Sequence, residues 1–105
     1  MIKGDIVLVL FPFTDLIGNK YRPAVVLASS SLDVTVCFVS SQLKWKEEHD
    51  FEINPTSSNG LKMISLVRVR KIMTIDNELV AGKLGALDIN EIESLNRSLV
   101  KVFSL

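Results

Sequence analysis

The sequence predicts a mainly β protein: a small, strongly bent sheet or partly open barrel carrying one C-terminal helix. Three observations carry this expectation. The first two-thirds of the chain consists of short apolar or alternating runs separated by turn signals, the end of the chain shifts to a helical period, and nothing between them reads as a linker, repeat or low-complexity tract. At 105 residues the chain suits one domain, residues 1–105, since single cores commonly take about 100–150 residues.

The elements follow in order. Ile6–Leu10 is a continuous apolar run rich in β-branched residues, and Ala24–Ala28 and Val34–Val39 read as further strands, the last alternating with Thr35 and Cys37. Gly18-Asn19 marks a loop tip between the first two, and Ser29–Asp33 joins the second and third as a hairpin. A fourth strand is expected over His49–Ile53, followed by a loop at Asn54–Gly60, and residues 62–74 continue extended. A turn at Asp76-Asn77 precedes a short strand at Leu79–Leu84. Asp88 with Glu91 three residues on makes a capping box, and Ile89, Ile92, Leu95, Leu99 and Val102 recur at spacings of three and four, which predicts an amphipathic helix on a β core.

With 48% hydrophobic and 23% charged residues the chain has enough apolar surface to fold without disulfides or metals. Cys37 is the single cysteine, so it forms no internal disulfide; inside VTVCFV it reads as a small core hydrophobe, which fits a reducing compartment. The apolar run Ile6–Phe13 is broken by Pro12 and far short of the roughly 20 residues of a membrane span, and Met-Ile-Lys-Gly-Asp lacks the layout of a signal peptide, so a cytoplasmic protein with no membrane partner is the expectation. Twelve Lys plus Arg balance twelve Asp plus Glu, but unevenly: residues 60–75 hold Lys62, Arg68, Arg70 and Lys71 without an acid, and 47–59 hold Glu47, Glu48, Asp50 and Glu52. This patterning suggests either a basic and an acidic face or ordinary solvated strand edges.

The residue inventory excludes several chemistries. One His and one Cys leave no ligand pair at the spacing of a zinc site, there is no Gly-x-Ser-x-Gly nucleophile elbow, and no Gly-rich phosphate loop is present. What is left is a set of arginines near hydroxyls. Arg22 is held extended by the proline after it and stands at the entrance of the Ala24–Ala28 strand. Ser40 and Ser41 close the third strand, close to that entrance if the two strands form a hairpin. Alternation over 62–74 sets Ile64, Leu66, Arg68, Arg70 and Ile72 on one face, and a guanidinium pair matches phosphate oxygens with paired donors; each arginine equally suits an ion pair with a carboxylate.

Gly4-Asp5-Ile6-Val7, Arg22-Pro23-Ala24-Val25-Val26-Leu27, Val39-Ser40-Ser41 and Thr74-Ile75-Asp76, in this order ahead of a terminal helix, resemble the MazF/PemK toxins of type II toxin–antitoxin modules over nearly the whole chain. Phe11-Pro12-Phe13-Thr14-Asp15 is similar to a PemK-like subgroup. The resemblance implies an SH3-like barrel (CcdB/MazF/PemK-like) with a C-terminal helix, a homodimer, a cognate antitoxin partner, and cleavage of single-stranded RNA with no metal or other cofactor. It implies catalytic roles for Arg22 and Ser40, the latter a threonine in many members, and it matches Arg68 to a further arginine of some members. At Arg70 the chain departs from the family, where Asp or Glu is common, so a general acid or base proposed for that carboxylate does not carry over.

RNA supplies its own nucleophile, the 2′-hydroxyl, and the protein's task is to align it, take its proton and stabilise the added negative charge. A guanidinium holds its proton too tightly to act as a base, which assigns Arg22 to charge stabilisation and Ser40 to a hydrogen bond with the phosphate. Asp15 is the expected acid or base. Lys20, Tyr21, Ser41, Trp45, Arg68 and Arg70 are expected to bind RNA, with Tyr21 and Trp45 stacking on bases; Trp45 equally suits a dimer interface or the contact with an antitoxin peptide. The rival reading within the same fold is a toxin that inhibits DNA gyrase by binding it, without catalysis.

Overall fold

Ala24, Val25 and Val26 are consecutive and all fully buried, which only a sheet covered on both faces allows. The computed structural model, which describes residues 1–11 and 20–105, shows how that covering arises. Six strands, β1 (Asp5–Phe11), β2 (Lys20–Ser29), β3 (Asp33–Ser40), β4 (Phe51–Ile53), β5 (Ser65–Asp76) and β6 (Val80–Ala86), form one antiparallel sheet in the order β4-β5-β3-β2-β1-β6. Helix α1 (Ile89–Phe103) follows, and 3₁₀ turns occupy Leu43–Trp45 and Asn77–Leu79. No helix among the described residues is long and apolar enough to cross a membrane.

One core lies between the sheet and α1, where Ile6, Val25, Cys37, Val39, Val67 and Val69 meet Leu95 of the helix. The other lies on the opposite face, where Val7, Val9, Ala24, Val26, Val34 and Val36 are closed over by Ile75, Leu79 and Val80. The alternating valines of β1, β2 and β3 feed both, because successive side chains leave a strand on opposite faces. Burial of Leu95 alone contributes about 2 kcal/mol. The helix begins as the sequence predicts: the Glu91 amide donates to Asp88 Oδ1 at 2.8 Å and the Asp88 amide donates to Glu91 Oε1 at 2.8 Å. Ile89, by contrast, is 69% exposed and takes no part in the core, so the apolar stripe starts at Ile92.

The sheet's two edge strands, β4 and β6, are bridged by the loop that leaves β4. The Ala86 amide donates to Ser58 O at 2.9 Å, and Gly60 and Gly85 allow the backbones this close: a Cβ on Gly85 would stand 2.2 Å from Ser58 O, and one on Gly60 2.2 Å from Leu84 O. Asn59, fully buried, holds the loop from within. Its Oδ1 accepts from the Thr56 and Leu61 amides at 3.0 Å each, and its Nδ2 donates to Asn54 O at 2.8 Å. The result is the partly open barrel with a C-terminal helix that the sequence predicts.

The alternation expected over residues 62–74 breaks. Phe38 is opposite Arg68 but Cys37 is opposite Ile72, so β5 carries extra residues across this step and Ile72 joins the same core as Val67 and Val69. The acidic and basic stretches are not kept apart as two faces: folding pairs Glu47 and Asp50 with Arg68 of β5, while Glu52 pairs with Lys46.

Candidate functional site

Pro23 carries no amide hydrogen for either neighbouring strand. The β2–β3 ladder begins just after it, at Ala24↔Phe38, and the same register continued two residues sets Arg22 opposite Ser40. Here the strand ends part and a cavity of about 280 Å³ opens, lined by Tyr21, Arg22 and Pro23 of β2, by Val39–Gln42, and by Leu61–Met63 with Ser65. Pro23, Val39, Leu61 and Met63 contribute apolar lining among the polar groups.

Of the polar lining groups Arg22 and Lys62 only donate, while the hydroxyls and Gln42 can donate or accept. The Gln42 amide donates to Ser40 Oγ at 3.0 Å, which occupies an acceptor position of the hydroxyl and leaves its proton for an incoming oxygen. Among the described residues, Arg22 and Lys62 have no ion-pair partner and no carboxylate lines the cavity. Other basic side chains differ: Lys46 pairs with Glu52, Lys83 with Asp5, and Arg68 with Glu47 and Asp50. As far as the described residues line it, the cavity is a cationic, hydroxyl-bearing hollow whose donors can meet an anion.

Of the residues predicted from sequence, Arg22, Ser40, Tyr21 and Ser41 line this one cavity. Tyr21 is exposed at its mouth. Lys20 is exposed at the start of the same strand. Trp45 is not part of the lining; it stands exposed on the 3₁₀ turn that follows, with Lys44 Nζ 5.4 Å from its ring centre. Asp15 lies outside the described residues.

Arg68 and Arg70 lie elsewhere, around Glu47. Arg68 Nη2 donates to Glu47 Oε1 at 2.6 Å and its Nε to Asp50 Oδ2 at 3.2 Å. Arg70 lines a separate hollow with Glu47, Glu48, His49 and Lys101. The hydrogen bond from Arg68 holds the Glu47 carboxyl below the usual range. Lys62, Gln42 and Ser65 are lining residues that the sequence pattern does not single out as site residues. The signal for Lys62 is present in Asn59-Gly60, a turn that aims the next residues back across the sheet, but only the tertiary fold shows where it leads.

Cys37 is buried, and burial followed by the nearby Asp50 charge pushes its thiol up to about 12, so it is core rather than chemistry.

No curated protein sequence matches the chain. Among solved structures it is similar to toxin MazF-mt6 of Mycobacterium tuberculosis, with a TM-score of 0.77 at 19% identity over 96% of this chain and 97% of that one. It is also similar to an endoribonuclease in complex with its cognate antitoxin from a mycobacterial species (TM-score 0.77, 16% identity, 100% and 96% covered), and to a further mycobacterial endoribonuclease (TM-score 0.74, 15% identity, 100% and 92% covered). At these identities the likeness establishes the fold. The family model of PemK-like, MazF-like toxins of type II toxin–antitoxin systems matches residues 2–103, and the chain belongs to that family.

Proposed function

We propose that this protein is the toxin of a type II toxin–antitoxin module and an endoribonuclease that cleaves single-stranded RNA without a metal ion. The observation that carries the reading is the cavity in which, among the described residues, no carboxylate is present and Arg22 and Lys62 stand unpaired beside Ser40 and Ser41. Guanidinium, ammonium and hydroxyl donors gathered in one cavity, without counter-charges among the described residues, suit the oxygens of a phosphodiester, which favours cleavage over the gyrase-binding alternative.

In this mechanism the 2′-oxygen attacks phosphorus, forming a 2′-O–P bond as the P–O5′ bond breaks. The products are a 2′,3′-cyclic phosphate and a 5′-hydroxyl, with the 2′-hydroxyl proton passing to solvent water and the departing O5′ taking a proton from water. Arg22 stabilises the charge that grows on the phosphoryl oxygens, and Ser40 donates its free hydroxyl proton to one of them.

The same reading includes a homodimer and an antitoxin. Support comes from the exposed apolar residues Val100, Phe103 and Leu105 and from the hollow that Ile72, Val102 and Phe103 form beside Arg70, a surface suited to a second protein chain. The related endoribonuclease solved with its cognate antitoxin supports the partner. An acidic antitoxin segment would find Arg22 and Lys62 open to it, whereas Arg68 already holds two carboxylates.

The test is incubation of the purified protein with a long single-stranded RNA in EDTA. Wild type is expected to produce fragments ending in cyclic phosphate, Arg22→Ala to lose at least about 100-fold in rate, and Ser40→Ala a similar amount while Ser40→Thr retains activity. Absence of cleavage by wild type, or full cleavage by folded Arg22→Ala, overturns the reading.

A further inference from the structure

Arg22 and Lys62 do not meet the cavity from one side. Arg22 stands on β2, Ser40 on β3, and the Leu61–Met63 bend leads into Ser65 on β5, so the lining crosses three neighbouring strands. The two cations therefore enter the cavity from different segments, Arg22 from β2 and Lys62 from the bend that leads into β5. Arg22, Ser40 and Ser41 already offer donors for the phosphate at their end. The cation across the cavity is left for a second one.

The segment carrying Lys62 is fixed in place. The Leu61 amide is held by buried Asn59, Leu61 packs against the helix-side core, and Ser65 Oγ donates to Met63 O at 2.9 Å, which pins the bend from its far side. The fixed backbone keeps the Lys62 ammonium at the cavity, and its flexible stem lets that compact charge follow a phosphate there.

We infer that Lys62 is a second phosphate-binding residue, taking the RNA phosphate one nucleotide away from the one that reacts at Arg22 and so fixing the strand's register in the cavity. The inference rests on the endoribonuclease reading and adds to it a residue that touches substrate without touching the reacting atoms. Lys62 is exposed and supports no packing, so its replacement leaves the fold in place.

The experiment uses the full chain and two probes: a cleavable single-stranded RNA, and the same sequence with every 2′-hydroxyl methylated. Binding of the methylated RNA is measured across a salt series, in which removing one cation that neutralises a phosphate of a single strand lowers the slope of log K against log salt by about 0.7. For Lys62→Ala the expected result is a slope lower by that amount, with KM for the cleavable RNA raised about tenfold and kcat changed far less. Lys62→Arg restores both, and Lys3→Ala, which removes a charge outside the cavity, changes neither. A slope and KM equal to wild type in Lys62→Ala, or failure of Lys62→Arg to restore them, overturns the role of Lys62 while leaving the nuclease reading intact. Wild type that neither binds nor cleaves RNA overturns both.

Discussion

Arg68 donates through Nε to Asp50 Oδ2 at 3.2 Å, and the carboxylate it meets has a side chain only 1% exposed. Asp50 is fully engaged: the Glu47 amide donates to Oδ2 at 2.9 Å and the Val69 amide to Oδ1 at 3.1 Å. His49, at φ 76°, makes the left-handed turn that points Asp50 inward, and histidine is among the residues enriched in that conformation. A strand, a loop and an edge thus share one buried carboxylate. Replacing Arg68 by Met leaves Asp50 without its cation and is expected to cost about 3 kcal/mol or more of unfolding free energy, read by urea denaturation. The double variant Arg68→Met with Asp50→Asn should recover part of that loss. Equal stability of Arg68→Met and wild type would show that the pair holds nothing together.

Acid should loosen the opposite edge. Asp5 is buried, and burial pushes its carboxyl up, but the hydrogen bond from the Ile2 amide, the contact with Lys83 at 3.2 Å and the amino terminus together outweigh it and hold the carboxyl below its ordinary value. With the folded value below the unfolded one, the unfolded chain binds more protons in acid. The stabilisation is therefore complete above the unfolded value of about 3.9 and is lost as pH falls through the folded value. Glu47 shifts in the same direction through Arg68. Thermal melts from pH 6 to pH 3 are expected to fall in wild type and to fall less steeply in Asp5→Asn; parallel curves would exclude Asp5 as a source.

Gly85→Ala tests the bridge between the sheet's edges. The added Cβ would lie 2.2 Å from Ser58 O and 2.6 Å from the Asn59 carbonyl carbon, both backbone atoms that cannot swing aside. The expected cost is about 1–3 kcal/mol, with cleavage reduced as well because the displaced loop carries Lys62. Gly82→Ala, where a Cβ meets nothing within 4 Å, is the matched control. If both variants melt together, the loop is not held by this contact.

The sheet and helix were legible in the sequence because they rest on local patterns. The valine alternation of β3 and the Asp88–Glu91 cap each act within a few residues, and both appear where the pattern puts them. Arg22 and Ser40 were legible for a related reason, since one hairpin through residues 29–33 brings them into register. Arg68 was not. Its meeting with Asp50 depends on the pairing of β4 with β5 and on the extra residues of the β5 bulge, and neither leaves a mark in the alternation. A place on RNA and a place on a carboxylate were chemically equal for it until the fold supplied the carboxylate. In the sequence Lys62 is one cation of a basic stretch; its place at the cavity is not legible there because the loop's direction is set by Asn59 and Gly85, the second of which lies 25 positions beyond Gly60.

The bridge from the β4 loop to β6 also sets an order of assembly. Asp5 pairs with Ala86, and Ala86 in turn holds Ser58, so the wall that presents Lys62 is secured only when the last strand arrives. Closing contacts of such long sequence separation comes late in folding, since the chain must give up its loop entropy first. The growing chain therefore displays Arg22 and Ser40 on the β2–β3 hairpin long before the wall that completes the cavity around them is in place.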